Sequence, residues 1–315
     1  GKASASYRLM SGLSLRGAIS NNLRAPALSQ IFFSDRTINF GENRSLVTTR
    51  TLPVNDPIAR TLGAEDLKPE RSFNLNVGIA GRIEDRLSFT LDAYRIRVDN
   101  RITLSDRLFG APLADFVQSL PGGTGIESVR FFTNAIDTRT YGVDFVANFE
   151  ERALGGQYNL TFAYSYAKTD IVSFTETPDQ LLALDPSLRL IGVEELNTIE
   201  EAAPRSKLIV TNTWENNDWR LLGRISYYGS TVRVFNFGGG FEPRQKYGSE
   251  ISVDAEVEFK LNQSASLTIG GQNLLDNYPD LSSPDINFFD NLPYDILSPI
   301  GVNGRYLYTR LAFRY

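Results

Sequence analysis

The stretch EISVDAEVEFKL, residues 250–261, alternates between apolar and polar side chains. Its apolar set is Ile251, Val253, Ala255, Val257 and Phe259, and its polar set is Ser252, Asp254, Glu256, Glu258 and Lys260. Successive side chains of a β-strand point to opposite faces of the sheet. The pattern therefore predicts a strand with one apolar face and one distinctly polar face.

The same alternation recurs along the whole chain and predicts an all-β protein. We expect about eleven strands, near residues 3–9, 13–21, 72–82, 86–98, 138–149, 156–169, 205–215, 218–235, 248–260, 264–274 and 304–315. The apolar set changes from odd to even positions at Ala93 and Tyr94, which predicts a β-bulge or the end of the membrane-facing part there.

The connections between these strands alternate between short and long. The short connections are at 11–12, 83–85, 150–155, 216–217 and 262–264, and the long ones are at 22–71, 99–137, 170–204, 236–247 and 275–303. All long loops then lie at one end of the sheet, as in outer-membrane β-barrels, which have short periplasmic turns and long extracellular loops. Trp214 and Trp219, which flank one short turn, are typical of an interfacial aromatic girdle.

A soluble β-sandwich or jelly roll also alternates, so it is the structural alternative. Its connections do not sort into short and long classes at opposite ends, which favours the barrel. In the barrel the apolar face contacts lipid and the polar face lines the lumen. The expected lumen-facing charges are Asp144, Arg220, Arg224, Asp254, Glu256, Glu258, Arg310 and Arg314.

Composition restricts the chemistry. The 315 residues contain no cysteine and no histidine, which excludes disulfides, the usual zinc sites and a Ser-His-Asp triad. The net charge of −5 argues against nucleic acid as a partner. We expect a single domain over residues 1–315, no enzymatic activity, no bound cofactor and no metal site. The acidic pairs Glu194–Glu195 and Glu200–Glu201 are expected to be a solvated loop rather than a cation site.

Three local motifs resemble those of the TonB-dependent receptors of Gram-negative outer membranes. NLRAPAL at 22–28 is similar to the family's FRAP-type stretch, LKPERSFNLNVGI at 67–79 to its LKPE strand entry, and GQNLLDNYP at 271–279 to its NLFDxxY segment. The resemblance implies a 22-stranded barrel preceded by a plug domain and a short TonB-contacting box. The chain would then be the C-terminal half of that barrel, with the plug and the first strands missing.

The C-terminal strand RYLYTRLAFRY, residues 305–315, carries a second expectation. The resemblance implies that its alternating residues are the signal by which the barrel-assembly machinery recognises the last strand. These residues are Leu307, Thr309, Leu311, Phe313 and Tyr315.

The expected function is active import across the bacterial outer membrane of a scarce nutrient, such as an iron-siderophore complex, energised through TonB. Tyr306, Tyr308, Arg233, Phe235 and Phe237 are the candidate ligand-binding residues, because aromatic rings with one arginine near a barrel mouth suit a planar or anionic ligand. The partners implied are outer-membrane lipid, the nutrient, and the plug and TonB. The alternatives are a passive porin-like channel and a soluble carbohydrate-binding sandwich.

Overall fold

The computed structural model describes residues 1–40, 46–237, 240–287 and 293–313. Within them, one antiparallel sheet follows the chain through eleven strands, each paired with the next. These strands are β1 (Lys2–Met10), β2 (Leu13–Arg24), β5 (Glu70–Ile83), β6 (Leu87–Leu104), β8 (Ser128–Ala153), β9 (Gly156–Phe174), β10 (Ser206–Glu215), β11 (Trp219–Tyr228), β14 (Glu250–Asn262), β15 (Ala265–Gln272) and β16 (Tyr306–Phe313). We refer to this eleven-stranded path as the wall.

The long loops carry the remaining elements. These are α1 (Leu28–Phe32), β3 (Asp35–Phe40), β4 (Leu46–Leu52), α2 (Pro57–Thr61), β7 (Leu108–Phe109), α3 (Ala111–Ser119), α4 (Asp179–Leu184), α5 (Val193–Glu200), β12 (Thr231–Val234) and β13 (Arg244–Tyr247). Strands β12 and β13 form a separate two-stranded sheet. No helix in the described residues is long and apolar enough to cross a membrane.

All eleven predicted strands are confirmed, with changes at their ends. Strand β6 continues to Leu104, β8 begins ten residues earlier than predicted, at Ser128, and the segment predicted over 218–235 leaves the wall after Tyr228. The extensions of β6 and β8 carry them beyond the two-faced region into the loops. Their alternation is weaker there because both faces contact protein.

Short and long connections are sorted to opposite ends, as predicted. The turn between β8 and β9 is tighter than expected: Leu154 (φ 51°) and Gly155 (φ 73°) both adopt left-handed conformations. Glu84 (φ 49°) and Asp85 (φ 54°) do the same between β5 and β6. Adjacent residues with positive φ form the hairpin turns that match the twist of paired strands.

The two faces of the wall differ as the alternation predicts. Ile269 and Leu311 are exposed on the outer face, at 61% and 54% of their full accessibility. On the other face, the Tyr308 hydroxyl donates to Glu256 Oε2 at 2.7 Å, and Arg310 Nη2 lies 3.4 Å from the same carboxylate. The polar face therefore satisfies its own charges across strands.

The bulge predicted at Ala93 and Tyr94 is wrong. Strands β6 and β8 pair without interruption from Leu87 to Val98, and their register shifts only between Val98 and Arg101. Tyr94 stays on the polar face, where a side chain on its partner Gly142 would overlap the Tyr94 ring. The apolar pattern changes because the surroundings of the strand change along its length, while the side chains keep their phase.

A conventional hydrophobic core lies outside the two-faced part of the wall, among the long loops. It joins the loops at 25–69, 105–127 and 175–205 to the upper end of β8. Its fully enclosed members, each at most 1% exposed, are Leu52, Ala59, Leu62, Leu108, Leu113, Val117, Val129, Phe131, Ile136 and Leu181. We call this region the loop assembly.

Candidate ligand-binding site at the long-loop end

Two of the predicted site residues lie together at the start of β16. The rings of Tyr306 and Tyr308 stack with their centroids 6.0 Å apart. Tyr306 lines an open cavity of about 610 Å³ on the polar face, together with Arg224, Tyr228 and Asp254. The expected inward orientation of both tyrosines is confirmed, and it brings aromatic rings beside one cation and one carboxylate.

The other three predicted residues form a second group on β12 and the loop after it. Arg233 is only 6% exposed, and its Nε lies 3.3 Å from Asp295 Oδ2. Its guanidinium also lies 5.2 Å from the centroid of the Phe235 ring, which stacks on Phe237 at 5.9 Å. This arginine therefore joins two long loops through a buried ion pair, in a separate sheet from the tyrosines.

A second cavity, which sequence reasoning missed, lies between three long loops. Its volume is about 520 Å³, and Arg107, Phe109, Phe174, Asp185 and Arg189 are among its lining residues. The guanidinium of Arg107 lies 5.1 Å from the centroid of the Phe109 ring. No local motif signals this cavity because its walls come from segments far apart in sequence.

Buried charges form the floor of that cavity. The carboxylate of Asp106 accepts a hydrogen bond from Asn236 Nδ2 at 3.0 Å, and Arg107 Nη2 donates to the Asn236 carbonyl at 2.6 Å. Burial raises the pKa of Asp106 despite its hydrogen bonds to Asn236 and the Arg107 amide. Burial likewise lowers the pKa of Arg107. Loss of water favours the neutral form of each group.

The acidic pairs of this loop were expected to be solvated, and that expectation is wrong. Glu195 pairs with Arg130, and Glu194 Oε2 accepts the Asn236 amide at 3.2 Å. Burial outweighs the attraction of Arg130 and, helped by the neighbouring carboxylates of Glu194 and Asp106, raises the pKa of Glu195 to about 7.

The second acidic pair also makes structural contacts. Glu200 accepts the Ile171 amide at 2.8 Å, and Glu201 lies 2.7 Å from Arg244. These carboxylates join α5 to β8, β9 and β13. Among the residues that the structure describes, no group of three or more acidic, histidine or cysteine side chains is placed to hold a metal ion.

Comparison with known proteins identifies the architecture. Residues 1–274 match a family model described as TonB dependent receptor-like, beta-barrel. The chain belongs to the TonB-dependent receptors. No curated protein matches its sequence. As a member of this family, the chain is part of a β-barrel of the Gram-negative outer membrane.

Solved receptors share the fold at low sequence identity. The copper transporter OprC has a TM-score of 0.61 and 16% identity over 99% of this chain and 38% of that chain. A mutant of the ferric enterobactin receptor PfeA from Pseudomonas aeruginosa has a TM-score of 0.57 and 16% identity, over 98% and 39%. The pyoverdine receptor FpvA from Pseudomonas aeruginosa PAO1 has a TM-score of 0.57 and 14% identity, over 99% and 35%. The chain thus spans less than two fifths of these receptors.

Two motifs that resemble the family's meet in space and hold strands together. Arg24 of NLRAPAL pairs with Glu70 of LKPE through two hydrogen bonds, Nε to Oε2 at 2.7 Å and Nη2 to Oε1 at 2.6 Å. The Ile102 amide donates to Glu70 Oε1 at 2.8 Å. The bidentate pair and this third bond connect β2, β5 and β6 at the long-loop end of the TonB-dependent receptor wall.

The third motif folds back on the wall in the same way. Asn273 Nδ2 donates to the Asn277 carbonyl at 2.7 Å, and the Asn277 amide donates to Asn273 Oδ1 at 3.1 Å. Asn277 Nδ2 also donates to the Ile251 carbonyl at 2.9 Å. The motif residues that carry the family resemblance therefore stabilise the strand ends, whereas the cavities are lined mainly by other residues.

Proposed function

We propose that the receptor containing this chain binds a scarce small-molecule nutrient at its extracellular end and imports it across the outer membrane, energised through TonB. The observation that carries the proposal is the loop assembly. Long loops that share a buried core are ordered enough to hold a ligand in one geometry, which reduces the entropic cost of binding.

The substrate class we favour is an iron-siderophore complex. The names of PfeA and FpvA describe receptors for ferric enterobactin and pyoverdine, and OprC is named a copper transporter. Stacked tyrosines beside Arg224, and Arg233 with its two phenylalanines, provide π faces and positive charge for a planar or anionic ligand. We propose Tyr306 and Tyr308 as ligand contacts from the wall, and Arg233, Phe235 and Phe237 as contacts from the loops.

Assembly of the barrel is the second part of the proposal. Leu307, Leu311 and Phe313 are 66%, 54% and 67% exposed on β16, which pairs only with β15 in the described sheet. An exposed alternating strand with a free edge is suited to recognition by strand pairing. We propose that these residues, with Thr309, act as the signal for the barrel-assembly machinery. Tyr315, the last residue of the proposed signal, lies outside the described residues.

The test of import uses the full-length receptor in iron-limited cells with and without TonB. We expect saturable uptake of a radiolabelled ferric siderophore that disappears without TonB. Tyr306→Ala is expected to weaken ligand binding roughly 5- to 30-fold, the equivalent of losing about 1–2 kcal/mol of stacking. Tyr7→Ala is the matched control, because Tyr7 is 70% exposed on the outer face of β1.

Two results would contradict the proposal. Uptake that is unsaturable and independent of TonB would indicate a passive channel. Equal effects of the Tyr306 and Tyr7 substitutions would remove the assigned ligand contact while leaving import itself intact.

A further inference from the structure

Basic side chains lie on the apolar outer face of four adjacent strands. Leu75 of β5 pairs with Arg95 of β6, Arg95 with Tyr141 of β8, and Tyr141 with Lys168 of β9. Directly paired residues share a face of the sheet. Arg97 pairs with Phe73 and Arg139 one step further up, and Arg71 lies beyond them on β5. We call Arg71, Arg95, Arg97, Arg139 and Lys168 the outer basic patch.

The patch is confined to one part of the wall. On β10, β11, β14, β15 and β16 the residues paired along the outer face, such as Leu208, Tyr227 and Ile251, carry no charge. Below the patch, its own strands present Val77, Leu91 and similar apolar residues outward. An arginine facing hydrocarbon at the bilayer midplane costs about 2–4 kcal/mol, so the depth of the patch matters.

Strand geometry places the patch at the upper margin of the apolar band. Arg71 lies twelve residues from Ile83, the last residue of β5. At about 3.3 Å per residue and a tilt of about 45°, it stands roughly 28 Å above the turn. The same arithmetic gives roughly 23 Å for Arg97 and 33 Å for Arg139. The apolar band of such barrels is about 25 Å tall, so these cations reach the lipid headgroups of the outer leaflet.

The charge of the patch is only partly neutralised by protein. Arg97 lies 2.6 Å from Asp99, and Lys168 lies 2.6 Å from Asp170. Asp137 is the third carboxylate nearby, and it accepts the Asn100 amide at 2.9 Å. The five cations therefore face three carboxylates in the described structure.

The guanidinium groups next to Tyr141 have room for an anionic partner. Arg95 lies 5.7 Å and Arg139 lies 5.4 Å from the centroid of the Tyr141 ring. Arg139 Nε is buried without a hydrogen-bond partner among the described residues. An aromatic ring held between two arginines orients them but does not neutralise them.

We propose that the outer basic patch binds the phosphate groups of an anionic, phosphorylated lipid of the outer leaflet. Planar guanidinium groups bind phosphate through two parallel hydrogen bonds, and several neighbouring arginines suit a headgroup with more than one phosphate. The acyl chains of that lipid lie against the apolar residues below the patch, Val77, Leu91 and Val143. The inference rests on the outer-membrane location of the barrel and is independent of the transported ligand.

The experiment measures lipid binding to the detergent-purified full-length receptor by native mass spectrometry. The probes are bisphosphorylated lipid A, the same lipid without its phosphates, and inorganic phosphate as a competitor. We expect binding of the phosphorylated lipid to fall roughly 5-fold for each arginine neutralised, and about 100-fold in the triple variant Arg95→Gln, Arg97→Gln and Arg139→Gln.

Two further variants separate charge from folding. The triple lysine variant at the same positions keeps the positive charge and is expected to retain most of the binding. Neutralising Lys2, Arg8 and Arg220, which lie on the polar face, makes the same change in net charge and is expected to leave lipid binding unchanged. Equal binding of the phosphorylated and dephosphorylated lipids, or undiminished binding by the triple glutamine variant, would overturn the proposal. Displacement of the lipid by equimolar inorganic phosphate would assign the site to free phosphate and overturn it as well.

Discussion

The wall and the loop assembly bury apolar side chains in opposite directions. In the wall, residues such as Ile269 and Val77 are 61% and 52% exposed on the outer face, because their apolar partner is lipid. In the loop assembly, Phe131 and Leu52 are fully enclosed by protein. One chain thus uses two solvents, and β8 runs through both, with Phe131 near one end and Phe145 in the two-faced part. The difference shows that burial inside protein marks the core of the loops only, while the wall is organised around the membrane.

The strongest test of this comparison removes one large side chain from each region. Phe131→Ala leaves a cavity in the loop assembly, and we expect it to lose about 3–5 kcal/mol of stability. Phe73→Ala, at a position 48% exposed on the outer face, is the matched control. Hydrogen exchange of α3 and β7 in the purified receptor measures the result. If the Phe73 substitution loosens these elements as much as the Phe131 substitution does, the two regions are not separately stabilised.

A charge introduced on either face of one strand tests the wall itself. Val210 and Thr211 are neighbours in the middle of β10, and they point to opposite faces. Val210→Arg is expected to cost about 2–4 kcal/mol because the cation meets hydrocarbon at mid-membrane. Thr211→Arg faces the hydrated interior and is expected to change stability little. Urea unfolding of the receptor in lipid vesicles compares the two, and equal costs would contradict the assignment of faces.

The smallest expected effect concerns pH and the loop assembly. Glu195 has an ordinary pKa of 4.5 when exposed and a pKa of about 7 in the fold. The folded loops hold this proton more tightly, so stability is greatest below pH 4.5, falls as the pH rises to 7 and then levels off. The total loss is up to about 3 kcal/mol at about 1.36 kcal/mol per pKa unit.

Hydrogen exchange of α5 at pH 5 and pH 8, corrected for intrinsic rates, measures this change. Glu195→Gln keeps a neutral side chain at every pH and is expected to remove most of the dependence, leaving a smaller part from Asp106, whose pKa is also raised. Glu176→Gln changes an exposed acid in the same loop and serves as the control. A pH dependence that survives in the Glu195 variant would assign the effect to other groups.

The predictions from sequence succeeded where partners are neighbours along the chain. Alternation and connection length predicted the eleven strands, their faces and the inward orientation of Tyr308 and Arg310. The error at Ala93 and Tyr94 came from treating a change of composition as a change of phase. Arg95 and Arg97 follow Leu91 and Ala93 on the same outer face, where the surroundings change from hydrocarbon to headgroups.

The candidate site was only partly accessible to the same reasoning. Tyr306 and Tyr308 were placed on the correct face because β16 obeys the alternation. The ion pair of Arg233 with Asp295 and that of Glu195 with Arg130 each join segments more than sixty residues apart. No periodicity records such contacts, so the loop cavity and its buried charges could not be predicted.

The sequence by itself determined the wall: a period of two with short and long connections specifies strand order, register and the two faces, because each strand pairs with the next. Tertiary structure alone decided how the long loops fold together, which charges they bury and which cavities they enclose. Backbone pairing in a meandering sheet is local and repetitive, whereas the loop core depends on the shapes of side chains that meet only after the wall has brought their segments to the same end.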